Sequence, residues 1–418
     1  MSEDNSRRPL EISFPIDQVN EIAEKEAHAK RYYRPVYTMH KWWARRLGSV
    51  FRTMILYALA DEEMRVGGER QSTFGDGNGL PEIDWENPDA LWEYYLEDVD
   101  FDGKTILDPF MGGGTSIVES LRMGCNAIGS ELNPVAWFVV KKEVETVDLD
   151  ELDAAFEDIK ESVGQEIQDY YRTECPHCEG GDHYADSMYH FWVAQLPCRN
   201  CGEDVPLFKD YRLSNARSSK DDHYNVVCPD CWHVFETDDY RTNTECPECD
   251  HEYVPKDAGN VSRGTYTCPH CDEHPEMSII ESVERFGKAD QSLYAVEYYC
   301  PETNKKGYKS VTEFDRSLFA DASAELENKR GDLPFPTAKR YRGSSDRARK
   351  HGFETYDQMF NDRQLLGLSK LLREIDKIEN QNIKEFLLLA FSSSLAYNNS
   401  FCEYDKPYNK LTGIYKRH

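Results

Sequence analysis

The sequence predicts an α/β chain, an open parallel-sheet unit interrupted by a cysteine-rich insert. Two observations carry this. Residues 104–150 read as strand, glycine turn, helix and strand, the opening of an alternating α/β layer. Residues 171–310 hold five Cys-x-x-Cys pairs among short aromatic and β-branched segments. A chain of 418 residues can form two or three domains with a sizeable core.

Five segments follow from texture. Residues 1–60 form a basic, aromatic helical segment. No acid occurs from His28 to Ala60, where Lys30, Arg31, Arg34, Lys41, Arg45, Arg46 and Arg52 all fall. Within it, Met39–Leu59 reads as a helix, with Trp43, Leu47, Val50, Met54 and Tyr57 at three- and four-residue spacings. Residues 61–103 are an acidic, polar insert with one short helix expected near 91–95. Residues 104–170 are the α/β unit and 171–310 the cysteine array. Residues 311–418 return to helix, with Leu365, Leu366, Leu368, Leu371, Leu372 and Ile375 leading to an apolar run at 386–395.

The most informative stretch is Lys104 to Thr115. Residues 105–107 read as a buried strand and 116–123 as a helix carrying Ile117, Val118 and Leu121. Between them Gly112, Gly113 and Gly114 let the backbone turn sharply and approach a ligand with no Cβ in the way. The following helix offers free N–H groups and a positive dipole end to an anionic group. A second strand, 126–130, ends at Glu131, placed to accept hydrogen bonds from ribose hydroxyls. Neither G-x-G-x-x-G nor Gly-Lys-Ser/Thr is present, so neither NAD nor a P-loop nucleotide is favoured.

Asp108-Pro109-Phe110-Met111-Gly112-Gly113-Gly114-Thr115 resembles the Asp-Pro-Phe-x-Gly-x-Gly-Thr motif of amino-group DNA methyltransferases. Gly129 to Pro134, with Glu131 and Asn133, resembles the acidic motif that follows it. More narrowly, nearly the whole chain resembles the DUF1156 group of adenine-specific DNA methylases containing a zinc ribbon. His40-Lys41-Trp42-Trp43-Ala44-Arg45-Arg46, the cysteine array and Phe360-Asn361-Asp362-Arg363-Gln364-Leu365-Leu366 support this. The resemblance implies a partial Rossmann-like S-adenosylmethionine-dependent methyltransferase fold. It implies that Asp108, Pro109, Phe110, Gly112, Gly113, Gly114 and Thr115 line the methionine end of the cofactor, with Glu131 on its ribose and Asn133 beside it. It also implies that the segment around Lys41–Arg46 packs beside that site.

Thirteen cysteines in a chain that opens without an apolar leader point to metal ligands in a reducing cytoplasm. Cys175/Cys178 and Cys198/Cys201 give C-x2-C-x19-C-x2-C, and Cys228/Cys231 with Cys246/Cys249 give C-x2-C-x14-C-x2-C. Each is close to a four-cysteine zinc ribbon, so two Zn2+ ions are expected. The remaining pair, Cys268/Cys271, could recruit Cys300, but Thr303 stands where a last cysteine is expected. His270 or His274 could complete that third site, or it has decayed; nested pairing of the knuckles stays open.

The formal charge is −28, which alone argues against nucleic-acid binding. Two basic stretches stand against it: Lys41, Arg45 and Arg46 among aromatics, and Lys339, Arg340 and Arg342. Both are candidates for DNA phosphate contact. Tryptophan in the first could stack on a base, but core packing is the favoured role of Trp43. No run of 18 apolar residues occurs, so no membrane span is expected.

The resembling family also carries a Pro-Pro-aromatic catalytic motif, and no Pro-Pro dipeptide occurs here. Asp405-Lys406-Pro407-Tyr408 is the nearest imitation and reads better as a polar turn. The expectation is the N-terminal, cofactor-binding portion of a DNA adenine-N6 methylase, with no catalytic residue assigned and a second chain as candidate supplier of the motif. An RNA base methyltransferase and a non-catalytic zinc-ribbon DNA-binding subunit are the competing readings. The dispersed acid also matches selection by a high-salt cytoplasm, where repulsion is screened. Folding measured across a wide KCl range tests that hypothesis, and full stability in low salt counts against it.

Overall fold

The computed structural model describes residues 8–12, 14–28, 36–60, 65–66, 72–73, 99–178, 183–215, 223–340 and 347–414. The helix expected near 91–95 and Arg342 lie outside the described residues. The chain forms two compact units, Met1–Asp153 with Glu379–Ser393, and Ala154–Ile378 with Ser394–His418. Of the segment expected at 311–418, residues 379–393 thus lie in the first unit and the rest in the second.

The first unit opens with helices α1 (Ile16–His28) and α2 (Gly48–Leu59). The helix expected from Met39 starts only at Gly48, and the reason is a long-range cap. The buried Glu26 carboxylate accepts from the N–H groups of Gly48 and Ser49, both at 3.0 Å, and so fixes the first turn of α2. Residues 39–47 are non-helical, and Trp43 is 50% exposed, which corrects its expected place in the core. Ile55, Leu56 and Tyr57 pack with Val19, Ile22 and Met123.

Strand β1 (Thr105–Asp108), helix α3 (Thr115–Arg122) and parallel strand β2 (Asn126–Gly129) follow. Helix α4 (Pro134–Val144) starts from Asn133, whose side chain accepts from the Val135 N–H, with proline at the first helical position. The helix Gln381–Ser394 returns to this unit. Its Glu385 meets Lys141 and Lys142 at 2.5 and 2.6 Å, and the Lys141 hydrogen bond, then that of Lys142, hold the Glu385 carboxyl down at about 2.

On one face of the β1–β2 pair, Ile106 and Ala127 meet the core. On the other, the cross-strand partners Leu107 and Ile128 are 65% and 56% exposed. Parallel strands are ordinarily covered on both faces, so this apolar face is unusual.

The second unit is built on an antiparallel sheet. Its strands are β3 (Arg172–Glu174), β4 (Tyr184–Pro197), β5 (Asp204–Pro206), β6 (Asp290–Cys300) and β7 (Lys305–Ser310). The order is β7–β6–β4–β3, with β5 also paired to β4. Two three-stranded sheets and one two-stranded sheet fill the span between β5 and β6. Helices α5 (Glu313–Lys329) and α6 (Asp362–Asp376) close on Ala322, Leu326, Leu365 and Leu366. Lys370 of α6 is fully buried, and its ammonium is met by Glu166 and Glu325 at 2.5 Å each.

A fully buried link in the first unit runs through Glu119 of α3. It accepts from Arg52 Nε at 2.9 Å and Tyr37 Oη at 3.0 Å, both buried. Burial first, and the Glu119 charge next, push the Tyr37 hydroxyl well above its ordinary pKa. Removing one partner of such a pair strands the other charge. Glu119→Ala is expected to cost about 3–5 kcal/mol in denaturant unfolding. Glu157→Ala, which breaks the exposed pair with Lys160, should cost under about 1 kcal/mol. Equal effects would show that the Glu119 link is not stabilising.

Candidate functional site

The turn between β1 and α3 is held by side chains at both ends. Asp108 Oδ1 accepts from the Phe110 N–H at 3.0 Å, and Oδ2 accepts from the Ser116 hydroxyl. Glu131, just after β2, accepts from the Gly112 N–H at 2.8 Å and the Asn133 N–H at 2.9 Å. The two strand ends therefore share one carboxylate across the turn. Each carboxylate oxygen has a second lone pair, so Glu131 keeps acceptor capacity. Pro109 and Phe110 lie at the surface, Phe110 at 88% exposure. The Thr115 hydroxyl donates to the Arg46 carbonyl at 3.2 Å.

Two of the glycines are sterically required. Gly114 has φ +76°, and a Cβ there would come within 2.5 Å of Val140. A Cβ on Gly113 would lie 2.7 Å from Trp42 Cδ1. Trp42 thus packs its indole edge on the turn, and its Nε1 is buried with no hydrogen-bond partner among the described residues. Arg45 donates to the Gly113 carbonyl at 2.7 Å and forms a bidentate pair with Glu143 of α4 at 3.0 and 2.6 Å. The Glu143 side chain is fully buried; burial pushes its carboxyl up to about 7 although Arg45 opposes the shift. Arg45 was expected to meet phosphate. Its guanidinium is instead committed inside the fold, because a buried carboxylate and a carbonyl fill its fork.

The other cations differ. Lys41 and Arg46 are exposed, as is Lys339. Arg340 is half-buried, turned toward the Met359 sulfur and over the Tyr356 ring at 5.3 Å, so it too is partly committed internally. Residues Asp405–Tyr408 form the turn of a hairpin joining Glu403–Asp405 to Lys410–Thr412, with Tyr408 72% exposed.

Eleven of the thirteen cysteines gather in three clusters that could hold a metal ion, and the pairing corrects the sequential expectation. Cys228, Cys231, Cys246 and Cys249 group as expected. Cys198 and Cys201 meet Cys268 and Cys271, however, not Cys175 and Cys178. Those two join Cys300 and His183. The knuckles are therefore nested. The cause is the β4–β6 ladder: antiparallel pairing sets the start of β4 beside the end of β6, so His183 and Cys300 meet there. Neither His270 nor His274 is a member; His274 Nδ1 contacts the Cys268 carbonyl at 3.0 Å. His183 escaped sequence reasoning because it stands alone before a strand. The missing cysteine at Thr303 was the available hint.

The geometry suits tetrahedral thiolate coordination. Bonds of about 2.3 Å give a sulfur–sulfur edge of about 3.8 Å. Cross-knuckle distances are 3.7 Å for Cys178–Cys300, Cys198–Cys271 and Cys201–Cys268, and 3.6 Å for Cys228–Cys249 and Cys231–Cys246. His183 Nε2 lies 3.5 Å from Cys300 Sγ, while its Nδ1 faces Glu302 at 4.0 Å, the acid-backed arrangement common for metal-bound imidazole. In three knuckles the residue after the second cysteine is left-handed: Gly202, Trp232 and Asp250. Burial pushes the Cys198 thiol up, but the backbone N–H groups of Cys201 and Asn200 and neighbouring thiols outweigh it and bring it to about 7.

These features define a mixed α/β protein with three metal-competent cysteine clusters and a carboxylate-bound glycine turn. A family model described as "Protein of unknown function (DUF1156)" matches residues 13–74. Other matches are to methyltransferases. The chain is 27% identical over 124 residues to the Type II methyltransferase M.MjaII of Methanocaldococcus jannaschii, covering 29% of this chain and 22% of that protein. It is 35% identical over 60 residues to the Type II methyltransferase M.MvaI of Kocuria varians, 14% of this chain and 13% of the relative. It is 37% identical over 68 residues to the Type II methyltransferase M.BsoBI of Geobacillus stearothermophilus, 16% and 13%. The matched stretches thus span under a quarter of each relative. No solved structure matches. Among the described residues no helix is long and apolar enough to cross a membrane.

Native mass spectrometry should find three metal ions per chain, one for each cluster, and two after Cys300→Ser and His183→Ala together. Two in the unmodified chain would remove the mixed Cys/His site.

Proposed function

We propose that this chain is the cofactor-binding part of an S-adenosylmethionine-dependent DNA methyltransferase acting on adenine N6. One observation carries the reading: the Asp108–Thr115 turn closes on Glu131 between two parallel strands, with the first turn of α3 directly behind it. The residues fit such a cofactor. Gly112 has φ +52° and no side chain to obstruct a ligand, Glu131 keeps lone pairs for ribose hydroxyls, and the amides of Thr115, Ser116 and Ile117 have no intrahelical acceptor. Asp108 serves by shaping the turn. When bound, the cofactor supplies an electrophilic methyl group.

The methyltransferase relatives support the reaction class, and zinc is the metal that best suits three thiolate-rich clusters. DNA is the proposed partner, with the exposed Lys41, Arg46 and Lys339 as the candidates for phosphate contact.

Nothing in the sequence supplies a Pro-Pro-aromatic element, and Asp405–Tyr408 is a surface turn in the second unit. The proposal is therefore that this chain alone does not turn over and that a second chain or segment provides the element. The bare face at Leu107 and Ile128 supports a covering partner.

Two measurements test this. By calorimetry, Glu131→Ala should weaken S-adenosylmethionine binding by roughly ten- to a hundredfold, because a hydrogen bond to a charged acceptor contributes about 1.5–3 kcal/mol. Gly112→Val should be worse, since a β-branched residue is strained at that φ. Unchanged binding by both would misplace the pocket. Labelled-methyl transfer to DNA and to RNA, with and without the product of a neighbouring gene, tests the rest. Robust DNA methylation by the chain alone would refute the dependence on a partner. Transfer to RNA only would refute the substrate, and DNA binding without cofactor binding would favour a non-catalytic subunit.

A further inference from the structure

We propose that the indole N–H of Trp42 is a ligand-binding donor at the glycine turn, placed for the carboxylate of the bound amino-acid moiety. This rests on the reading of the turn as an S-adenosylmethionine site. The indole edge already lies on the turn: Cδ1 would stand 2.7 Å from a Cβ on Gly113, and Nε1 3.7 Å from one on Gly112. Nε1 is buried and makes no hydrogen bond among the described residues. A buried N–H without an acceptor costs free energy that a hydrocarbon ring of the same shape would avoid, so packing on glycine explains the ring but not its nitrogen.

The surrounding charges narrow the role further. Arg45 brings a positive charge to the turn, but its guanidinium is filled by the Glu143 carboxylate and the Gly113 carbonyl. An anion arriving here would find no uncommitted Arg45 fork. The Asp108 and Glu131 carboxylates at the turn are engaged by Phe110, Ser116, Gly112 and Asn133, and the donors offered to an anion are the first-turn amides of α3 and the indole N–H. Arg45 is then a positioning residue that holds the Gly113 carbonyl. The DUF1156 segment, in this view, contributes a direct ligand contact as well as a brace.

The test compares two ligands on the full chain. S-Adenosylmethionine carries the carboxylate, and decarboxylated S-adenosylmethionine lacks it. Trp42→Phe keeps an aromatic ring beside the turn but removes the donor together with part of the ring, so the decarboxylated ligand serves as the control for lost packing. It should weaken S-adenosylmethionine by roughly ten- to a hundredfold in calorimetry and leave the decarboxylated ligand unchanged. In the unmodified chain, the Trp42 indole proton should shift downfield with the first ligand and not with the second, a readout that needs no variant to fold. Equal affinity losses for both ligands, no loss, or an unmoved indole resonance would overturn the assignment. Failure of the unmodified chain to bind either ligand would overturn the cofactor reading itself.

Discussion

The glycine turn depends on two carboxylates, half-buried Glu131 beside it and fully buried Glu143 behind it. A turn with residues in left-handed conformations has little side-chain packing to hold it, so its shape must come from its neighbours. Glu131 takes one of its amides, and Arg45 takes one of its carbonyls while Glu143 anchors that arginine. One helix further in, Glu119 ties α3 to Arg52 and Tyr37, and Glu26 sets where α2 begins. In a chain of formal charge −28, loss of Glu143, Glu119 or Glu26 would leave a buried donor or cation unpaired.

That arrangement gives the amino-terminal segment a physical role. Its tryptophan and arginine converge on the turn from outside the β1–α3–β2 unit, so the turn is shaped by residues about seventy positions earlier. The basic character of the segment divides accordingly: Arg45 and Arg52 are internal, whereas Lys41 and Arg46 lie at the surface. Net charge is a poor guide to which cations can meet a phosphate, because burial and pairing decide it locally.

The second unit solves a different problem. Strands of two to four residues between β5 and β6 share their core with the long sheet, where Leu213, Val227 and Tyr253 pack with Phe191, Val193 and Ala295, and the metal-competent cysteine clusters sit among their ends. Nesting follows from this. The long β4–β6 ladder joins the two ends of the cysteine array, and each inner cluster closes a shorter loop within it.

By itself the sequence determined the local pieces. The β1–α3–β2 order, the acid after β2, the five cysteine knuckles and the amphipathic α6 were all legible, because strand, turn, helix and knuckle geometry is set by neighbours within about four residues. It also carried the resemblance to DUF1156 and methyltransferases. Tertiary structure alone decided the rest. Which knuckles share a cluster, and that His183 completes one, depends on a strand pairing across about a hundred residues. The start of α2 depends on Glu26, and the fate of Arg45 on Glu143. Trp43 was read as core from a helical spacing that a distant cap cuts short. Such contacts are fixed by burial and charge pairing between residues far apart in the chain, and no local pattern records them.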